Sequence, residues 1–225
     1  MTDSPHSSSR QGTIPDVCIL HFTAGAGTAL STAEFMERTG NSAHCIVGRD
    51  GEREHPVPVG RAAWHAGDHN KARTSGSRLP SPEQLRQLSF RGTPIPFGQV
   101  EYASGAVNRR SYGIEMVNLG YSLEKKEGWY QGRHRNPGSR AKYWQPYTTE
   151  QMEALADEML YGLPDSVAYY CGHEDVTNRY TVMRVGGKLD PGPAFDWGWL
   201  KSRVSHRLTR LIFDFQLKAW RLDVP

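Results

Sequence analysis

The chain lacks any apolar run long enough to span a bilayer. Its opening residues, Met1-Thr2-Asp3-Ser4-Pro5-His6-Ser7-Ser8-Ser9-Arg10, hold no apolar core of the kind a secretory leader needs. Synthesis as a cytoplasmic protein is the expectation, with any action outside the membrane reached by another route. Cysteine is scarce. Cys18, Cys45 and Cys171 are an odd number, each inside an apolar run, which argues against a disulfide framework and for small buried hydrophobes. Charge is close to balanced, with a formal net of +3. No nucleic-acid-reading motif accompanies that excess, so nucleic acid is not an expected partner, while an anionic polymer is compatible with it. There is no internal repeat.

What is present is enough for one folded domain. Hydrophobic residues make up 37% of 225, with 6 Trp, 10 Tyr and 7 Phe, which supplies a core and excludes wholesale disorder. Residues 1–14 read as a flexible polar lead and residues 15–225 as one domain. Two long excursions interrupt it, at about 68–110, rich in Ser, Pro, Gly, Arg and Gln, and at 121–147, rich in Lys, Arg, Trp and Tyr. Loops of that length in a compact domain are functional or mobile.

Short apolar runs predict strands at Val17-Cys18-Ile19-Leu20, Ala43-His44-Cys45-Ile46-Val47, Tyr112-Gly113-Ile114-Glu115-Met116-Val117 and Val167-Ala168-Tyr169-Tyr170-Cys171. Asp50-Gly51 is a hairpin signal, and residues 52–59 read as its returning edge strand. Helices are predicted from Ser31, with Glu34 closing a capping box and Gly40 ending the turn; after Ser81-Pro82-Glu83; and from Thr148, with Gln151 at the capping-box position. A last helix from about Phe195 carries the stripe Leu200, Val204, Leu208, Leu211 and Phe215, with Lys201, Arg203, Arg207 and Arg210 outside it. Such a basic amphipathic helix covers the sheet, or makes weak contact with an anionic membrane surface. Strands interleaved with helices give an α/β domain.

Candidate chemistry centres on strand ends. His21 closes the first strand and His173 follows the last one. Lys188 and Asp190 lie two apart in Lys188-Leu189-Asp190-Pro191-Gly192-Pro193, where the prolines hold the chain extended and turn both side chains the same way. Two imidazoles and a carboxylate are a complete zinc ligand set with one position open for water. Glu115 is a carboxylate inside an apolar strand, out of place unless paired or functional; it reads as a general base, or as a salt bridge to Arg109 or Arg110. Lys188 reads as an oxyanion-stabilising cation, or as an exposed loop lysine. Trp64 and His65 combine an aromatic face and an imidazole at a turn, suited to a sugar or peptide, or to plain packing; Asn118, just past the Glu115 strand, is a further candidate substrate contact. Glu174 and Asp175 read as groups that orient the His173 loop. His6, His44, His55, His69, His134 and His206 read as structural or exposed.

Several ordered motifs now carry a resemblance. Leu20-His21-Phe22-Thr23-Ala24-Gly25, Ser42-Ala43-His44, Arg49-Asp50-Gly51, Arg61-Ala62-Ala63-Trp64-His65-Ala66-Gly67, Gly113-Ile114-Glu115, Gly172-His173-Glu174-Asp175 and Lys188-Leu189-Asp190-Pro191-Gly192-Pro193 follow one another as in the zinc-dependent N-acetylmuramoyl-L-alanine amidases, relatives of phage lysozyme-type amidases and peptidoglycan recognition proteins. The chain resembles that family in patches from about residue 15 to 200. The resemblance implies a single α/β domain with a central mixed β-sheet flanked by helices and Zn2+ in a surface groove. By position it implies His21, His173 and Asp190 as zinc ligands, Glu115 as the water-activating carboxylate and Lys188 as the oxyanion-side cation. The implied reaction is hydrolysis of the amide joining N-acetylmuramic acid to L-alanine in peptidoglycan or soluble muropeptides. The alternative is a non-catalytic peptidoglycan-binding protein of the same fold. Phage-type members carry a tyrosine just before the position of His44, where this chain has Ala43, so that residue's role does not transfer.

Overall fold

The computed structural model describes residues 3–67, 77–101, 103, 105–176 and 187–223. In chain order the elements are β1 (Ser7–Ser9), β2 (Val17–Phe22), α1 (Ala29–Thr39), β3 (Cys45–Val47), β4 (Arg53–Glu54), β5 (Arg61–Ala63), α2 (Pro82–Arg91), β6 (Ile95–Pro96), α3 (Ala106–Arg110), β7 (Ser111–Met116), β8 (Tyr121–Ser122), β9 (Tyr130–Gln131), β10 (Tyr143–Trp144), α4 (Thr149–Asp157), β11 (Tyr169–Gly172), α5 (Trp197–Val204), β12 (Thr209–Asp214) and β13 (Ala219–Leu222). Eight strands form one sheet in the order β4-β3-β7-β2-β11-β12-β13-β6. The run from β3 to β12 is parallel throughout, and antiparallel strands close both sides. The expected mixed sheet flanked by helices is therefore the fold observed. No helix among the described residues is long and apolar enough to cross a membrane.

Alternation along the central strands sorts their side chains into two layers. Cys18, Leu20, Tyr112, Ile114, Met116 and Tyr170 face one way, onto Met152 and Leu155 of α4 and Leu200 and Val204 of α5. Val17, Ile19, Cys171, Leu211 and Phe213 face the other way, onto Leu85 and Leu88 of α2. All three cysteines are buried and unpaired. The three-residue periods of α2 and α4 are capped as their sequences predict, Ser81 and Thr148 each accepting a backbone N–H three residues on.

Five expectations need correction. Residues 7–9, placed in a flexible lead, form β1 and pair with β5, and Arg10 beside them is buried, donating to the Val59 and Arg109 carbonyls. The capping box of α1 is Thr28 with Ser31, three residues earlier than the Ser31–Glu34 pair, because Thr28 alone holds the extended backbone a cap requires. Gly40 does end that helix, in the left-handed conformation. The returning strand expected over 52–59 is only Arg53–Glu54, since prolines at 56 and 58 withdraw ladder donors. Gln151 does not close a capping box; its buried amide donates to the Val47 and Val117 carbonyls at 3.0 and 3.1 Å, pinning α4 to the sheet. Finally, the C-terminal helix stops at Val204, and its basic stripe does not exist as one face. Leu211 and Phe213 also fit a period of two, and pairing with β11 on one side and β13 on the other decides for strand. Arg207 is spent on four carbonyls, among them those of Met159 and Leu163, and Arg210 on Asp223, so the expected membrane-facing surface dissolves.

The two excursions are structured where described. The first carries α2, β6 and α3; residues 68–76, including His69, lie outside the described residues. The second folds into a separate three-stranded sheet in the order β8-β10-β9.

Replacing Gln151 by Ala takes the side-chain donor from the buried Val117 carbonyl, while the Val47 carbonyl keeps the Val117 N–H at 2.9 Å, and we expect a loss of about 1–3 kcal/mol. Urea unfolding of Gln151→Ala against the parent protein measures it; an unchanged midpoint would show that the amide contributes nothing to the fold.

Candidate metal centre and its groove

Register places the chemistry. β2 and β7 run parallel with His21 opposite Glu115, and β2 and β11 run parallel with Leu20 opposite Gly172, so His173 emerges one residue beyond. Counting by twos from Ile19, Gly113 and Cys171, the side chains of His21, Glu115 and His173 belong to one face of the sheet. They all stand at the carboxyl ends of parallel strands, where open α/β sheets present their ligand sites. Asp190 arrives from the loop before α5, braced by two bonds: Glu174 N–H donates to the Asp190 carbonyl at 2.9 Å, and Tyr147 Oη donates to the Pro191 carbonyl at 2.9 Å.

The three expected ligands meet. His21 Nδ1 lies 2.8 Å from His173 Nδ1, and each lies 3.0 Å from Asp190 Oδ2. All three side chains are buried. Donor atoms around a tetrahedral zinc with bonds of about 2.0–2.1 Å stand roughly 3.3 Å apart, so this triangle is within about half an ångström of the required spacing. Burial pushes His21 down to about 4, with His173 reinforcing it, so the imidazole is neutral at ordinary pH. Burial raises Asp190, but when the facing rings carry protons their hydrogen bonds and charge outweigh it and hold the carboxyl well below its usual range; a divalent ion in the place of those protons acts in the same direction. Neutral imidazole and ionised carboxylate are the ligating forms.

A hydrogen-bond chain fixes which nitrogen of His21 carries the lone pair. Ser111 Oγ donates to the Val107 carbonyl at 2.7 Å, so its remaining capacity is to accept. His65 Nε2, 2.9 Å away, must then be the donor, which leaves His65 Nδ1 bare. His21 Nε2 donates to that atom at 2.8 Å, and its own Nδ1 is left bare, aimed at His173 and Asp190. Bare nitrogen facing carboxylate oxygen at hydrogen-bond distance is repulsive without a cation, and the donor set fits a divalent ion on that ground.

His65 lines the groove with both ring nitrogens committed, to His21 and Ser111, and burial together with His21 holds it well below its usual pKa. Gly113 makes room for it, since a Cβ there would lie 2.5 Å from the His65 ring. Asn118 is likewise spent on its own loop, its amide donating to the Gln145 carbonyl and accepting from Gly120 N–H, and it does not line the groove. Trp64 does line the groove, half-buried, as do Phe35, Met36 and Tyr121. Sequence reading passed over Phe35 and Met36, whose position on α1 signals only ordinary packing.

The groove has a volume of about 390 Å³ and is lined by His21, Glu115, His173, Lys188 and Asp190 together. Glu115 forms no salt bridge to Arg109 or Arg110; among the described residues its Oε2 is buried with no hydrogen-bond partner. Burial pushes its carboxyl up to about 8, Asp190 adds to the rise and Lys188 opposes it. A divalent ion at the triangle would act in the direction of Lys188. Lys188 is exposed at the rim. Glu174 and Asp175, expected to orient the His173 loop, do so: Gly172 N–H donates to Asp175 Oδ2 at 3.1 Å, and Arg135 pairs with both acids. A second group of donor types, Cys45, His55 and Glu158, sits near β3 and β4. There the carboxylate already takes the Tyr112 hydroxyl at 2.7 Å, His55 at 3.1 Å and Arg53 at 3.4 Å, so its lone pairs are used.

Two histidines and a carboxylate converging at the carboxyl ends of a parallel sheet, beside a spare buried carboxylate, define the class of metal-assisted hydrolase sites in α/β proteins. The comparisons with known proteins narrow the class. The sequence model of the family described as N-acetylmuramoyl-L-alanine amidase matches residues 11–193, and the chain belongs to that family. The chain is similar to the 1,6-anhydro-N-acetylmuramyl-L-alanine amidase AmpD of Escherichia coli (strain K12), with 27% identity over 168 residues, 75% of this chain and 61% of that protein. The match therefore spans about three fifths of that relative. Among solved structures, a selenomethionine derivative of AmpD has 22% identity and a TM-score of 0.50, covering 89% of this chain and 91% of that one. The N-acetylmuramoyl-L-alanine amidase LysC from Clostridium intestinale URNW has 16% identity and a TM-score of 0.50, covering 91% and 93%. These likenesses establish the shared fold.

If His65 sets the His21 lone pair, His65→Ala weakens cation binding by about 10–100-fold, the usual cost of an outer partner of a ligating histidine. Chelator competition on the folded variant reads this directly, and a binding constant equal to the parent's would refute the hydrogen-bond chain as described.

Proposed function

We propose that the protein is a zinc-dependent N-acetylmuramoyl-L-alanine amidase. It hydrolyses the amide between the lactyl group of N-acetylmuramic acid and L-alanine in peptidoglycan or muropeptides. The observation that carries this reading is the meeting of His21, His173 and Asp190 at one face with the unpartnered Oε2 of Glu115 in the same groove. Family membership and the similarity to the amidases AmpD and LysC support it.

His21 Nδ1, His173 Nδ1 and Asp190 Oδ2 would hold the ion. When bound, zinc supplies a Lewis acid that lowers the pKa of water to about 7 and polarises the scissile carbonyl. Glu115 Oε2 takes the proton of the attacking water and returns it to the departing alanine nitrogen, so one carboxylate serves as base and then as acid. Burial strengthens this carboxylate as a base by raising its pKa, and Lys188 opposes the rise, as a bound divalent ion would; a value brought near the working pH serves both halves of that cycle. Lys188 lines the groove two residues from Asp190, and its ammonium is the group we assign to stabilise the oxygen that becomes anionic when the carbonyl is attacked. The aromatic wall of Trp64 and Tyr121 offers a flat apolar surface to the sugar or peptide. A purely binding role leaves the isolated carboxylate of Glu115 without purpose, at the cost of burying it.

Incubation with a purified muropeptide, followed by mass spectrometry, should yield free peptide and peptide-free sugar, with activity lost on chelation and restored by zinc. Glu115→Gln should lower kcat by about 10²–10⁴-fold while zinc stoichiometry stays at the parent value. Full turnover by the verified zinc-free protein, or by Glu115→Gln, would end this assignment.

A further inference from the structure

The positive charge of this chain is not spread over it. Between residues 121 and 147 there are six Lys or Arg and two Glu, a local net of +4, against +3 for all 225 residues, so the remainder is slightly acidic. The whole excess therefore sits on the small sheet of β8, β9 and β10 and its loops. Within it is a hollow of about 620 Å³ lined by Arg133, Arg140 and Lys142, with no carboxylate in its lining. These three side chains are exposed, and none of them makes a hydrogen bond, ion pair or ring contact among the described residues. The contrast with other arginines is sharp: Arg10, Arg110 and Arg207 are spent on backbone carbonyls or on Asp16.

The floor of the hollow is rigid and joined to the metal turn. His134 Nε2 bonds Glu174, Arg135 pairs with Glu174 and Asp175 and donates to the Phe213 carbonyl at 2.9 Å, and Asn136 N–H donates to His134 Nδ1 at 2.9 Å. Glu174 and Asp175 directly follow His173. The hollow thus abuts the back of the ligand turn, yet it shares no lining residue with the groove, Tyr121 facing one and Leu123 the other. A small muropeptide held at the groove has no need of it; a long polymer with repeated anionic groups would reach both.

We propose that this hollow is a second binding site, taking multiply charged anionic groups, phosphate or carboxylate, carried by the insoluble wall, and that it anchors the enzyme to polymer while the groove works. The inference rests on the amidase reading for the nature of the polymer, although the anchoring itself does not require turnover. Two guanidinium forks and an ammonium converging on one space suit oxyanions, which Arg binds through paired N–H donors. Attraction of this kind is screened by salt over a Debye length of about 10 Å at 0.1 M.

The test compares Glu115→Gln, in which hydrolysis is expected to be slowed enough for sedimentation, with the same protein carrying R133A, R140A and K142A. Both are sedimented with purified sacculi that retain their phosphate polymers and with acid-stripped sacculi that keep only carboxylates. At low salt the triple change should weaken binding by about tenfold or more, three modest charge contacts together, and the difference should close at high salt. Weakening on the retained sacculi alone assigns the anion as phosphate; weakening on both assigns carboxylate. In the Glu115 background, equal binding by the triple variant and its parent on both preparations overturns the proposal. With Glu115 restored, the triple variant should lose far more activity on sacculi than on a soluble muropeptide; equal losses would mean that the hollow is part of the groove, and also overturn it. Absence of any turnover in the parent would count against the amidase assignment and leave the sedimentation result standing on its own.

Discussion

Parallel register is the constraint on which the rest of the molecule depends. With β2, β7 and β11 locked side by side, His21, Glu115 and His173 have no freedom to be anywhere but on one face at one end. A slip of one residue in any pair would turn its functional group into the opposite core. The imidazole of His21 in β2 and the carboxylate of Glu115 in β7, each set in a largely apolar strand, oppose that slip, because it would drive His21 or Glu115 among the leucines of α4 and α5. Packing on the far side of the sheet thereby sets the geometry of the site on the near side.

Around that fixed frame the protein gathers groups that are costly to bury, and each cost has a visible compensation. The imidazole of His21 is kept neutral and is turned by His65 and Ser111. Asp190 remains ionised between two rings, and Glu174 and Asp175 are matched by Arg135. Two atoms of the site lack such a compensation among the described residues: His173 Nε2 is buried with no hydrogen-bond partner, and so is Oε2 of Glu115, whose carboxyl burial raises to about 8. Functional sites are where such local inconsistency concentrates.

Much of this was legible in the sequence because it is carried by strand ends and fixed spacings. His21 and His173 terminate apolar runs, Lys188 and Asp190 lie two apart between prolines, and Glu115 interrupts an apolar strand; each is a local signal. The hydrogen bonds of His65 and Asn118 were not legible for a corresponding reason. Their partners, Ser111 and Gln145, lie 46 and 27 residues away, and no local pattern announces a hydrogen bond across that distance. The lead at 7–9 is polar and strand-poor by composition, and only β5 makes it a strand. In the C-terminal segment Leu208, Leu211 and Phe215 satisfy a helical period while Leu211 and Phe213 satisfy an extended one, and the ambiguity is resolved by neighbours rather than by propensity.

The hairpin of β12 and β13 has a consequence for where this protein can be cut. The family's pattern ends at Pro193, yet β12 covers the flank of β11, and Phe213 supplies the N–H that holds Asp175 Oδ1 at 2.7 Å and the carbonyl that holds Arg135. A truncation at the pattern's last residue would leave β11 paired with β2 alone, open the edge that β12 covers to another chain, and unfasten the carboxylate behind His173. The smallest fragment of this chain that keeps the site's support is accordingly set by hydrogen bonding near residue 222, some thirty residues beyond the last motif that the family pattern matches.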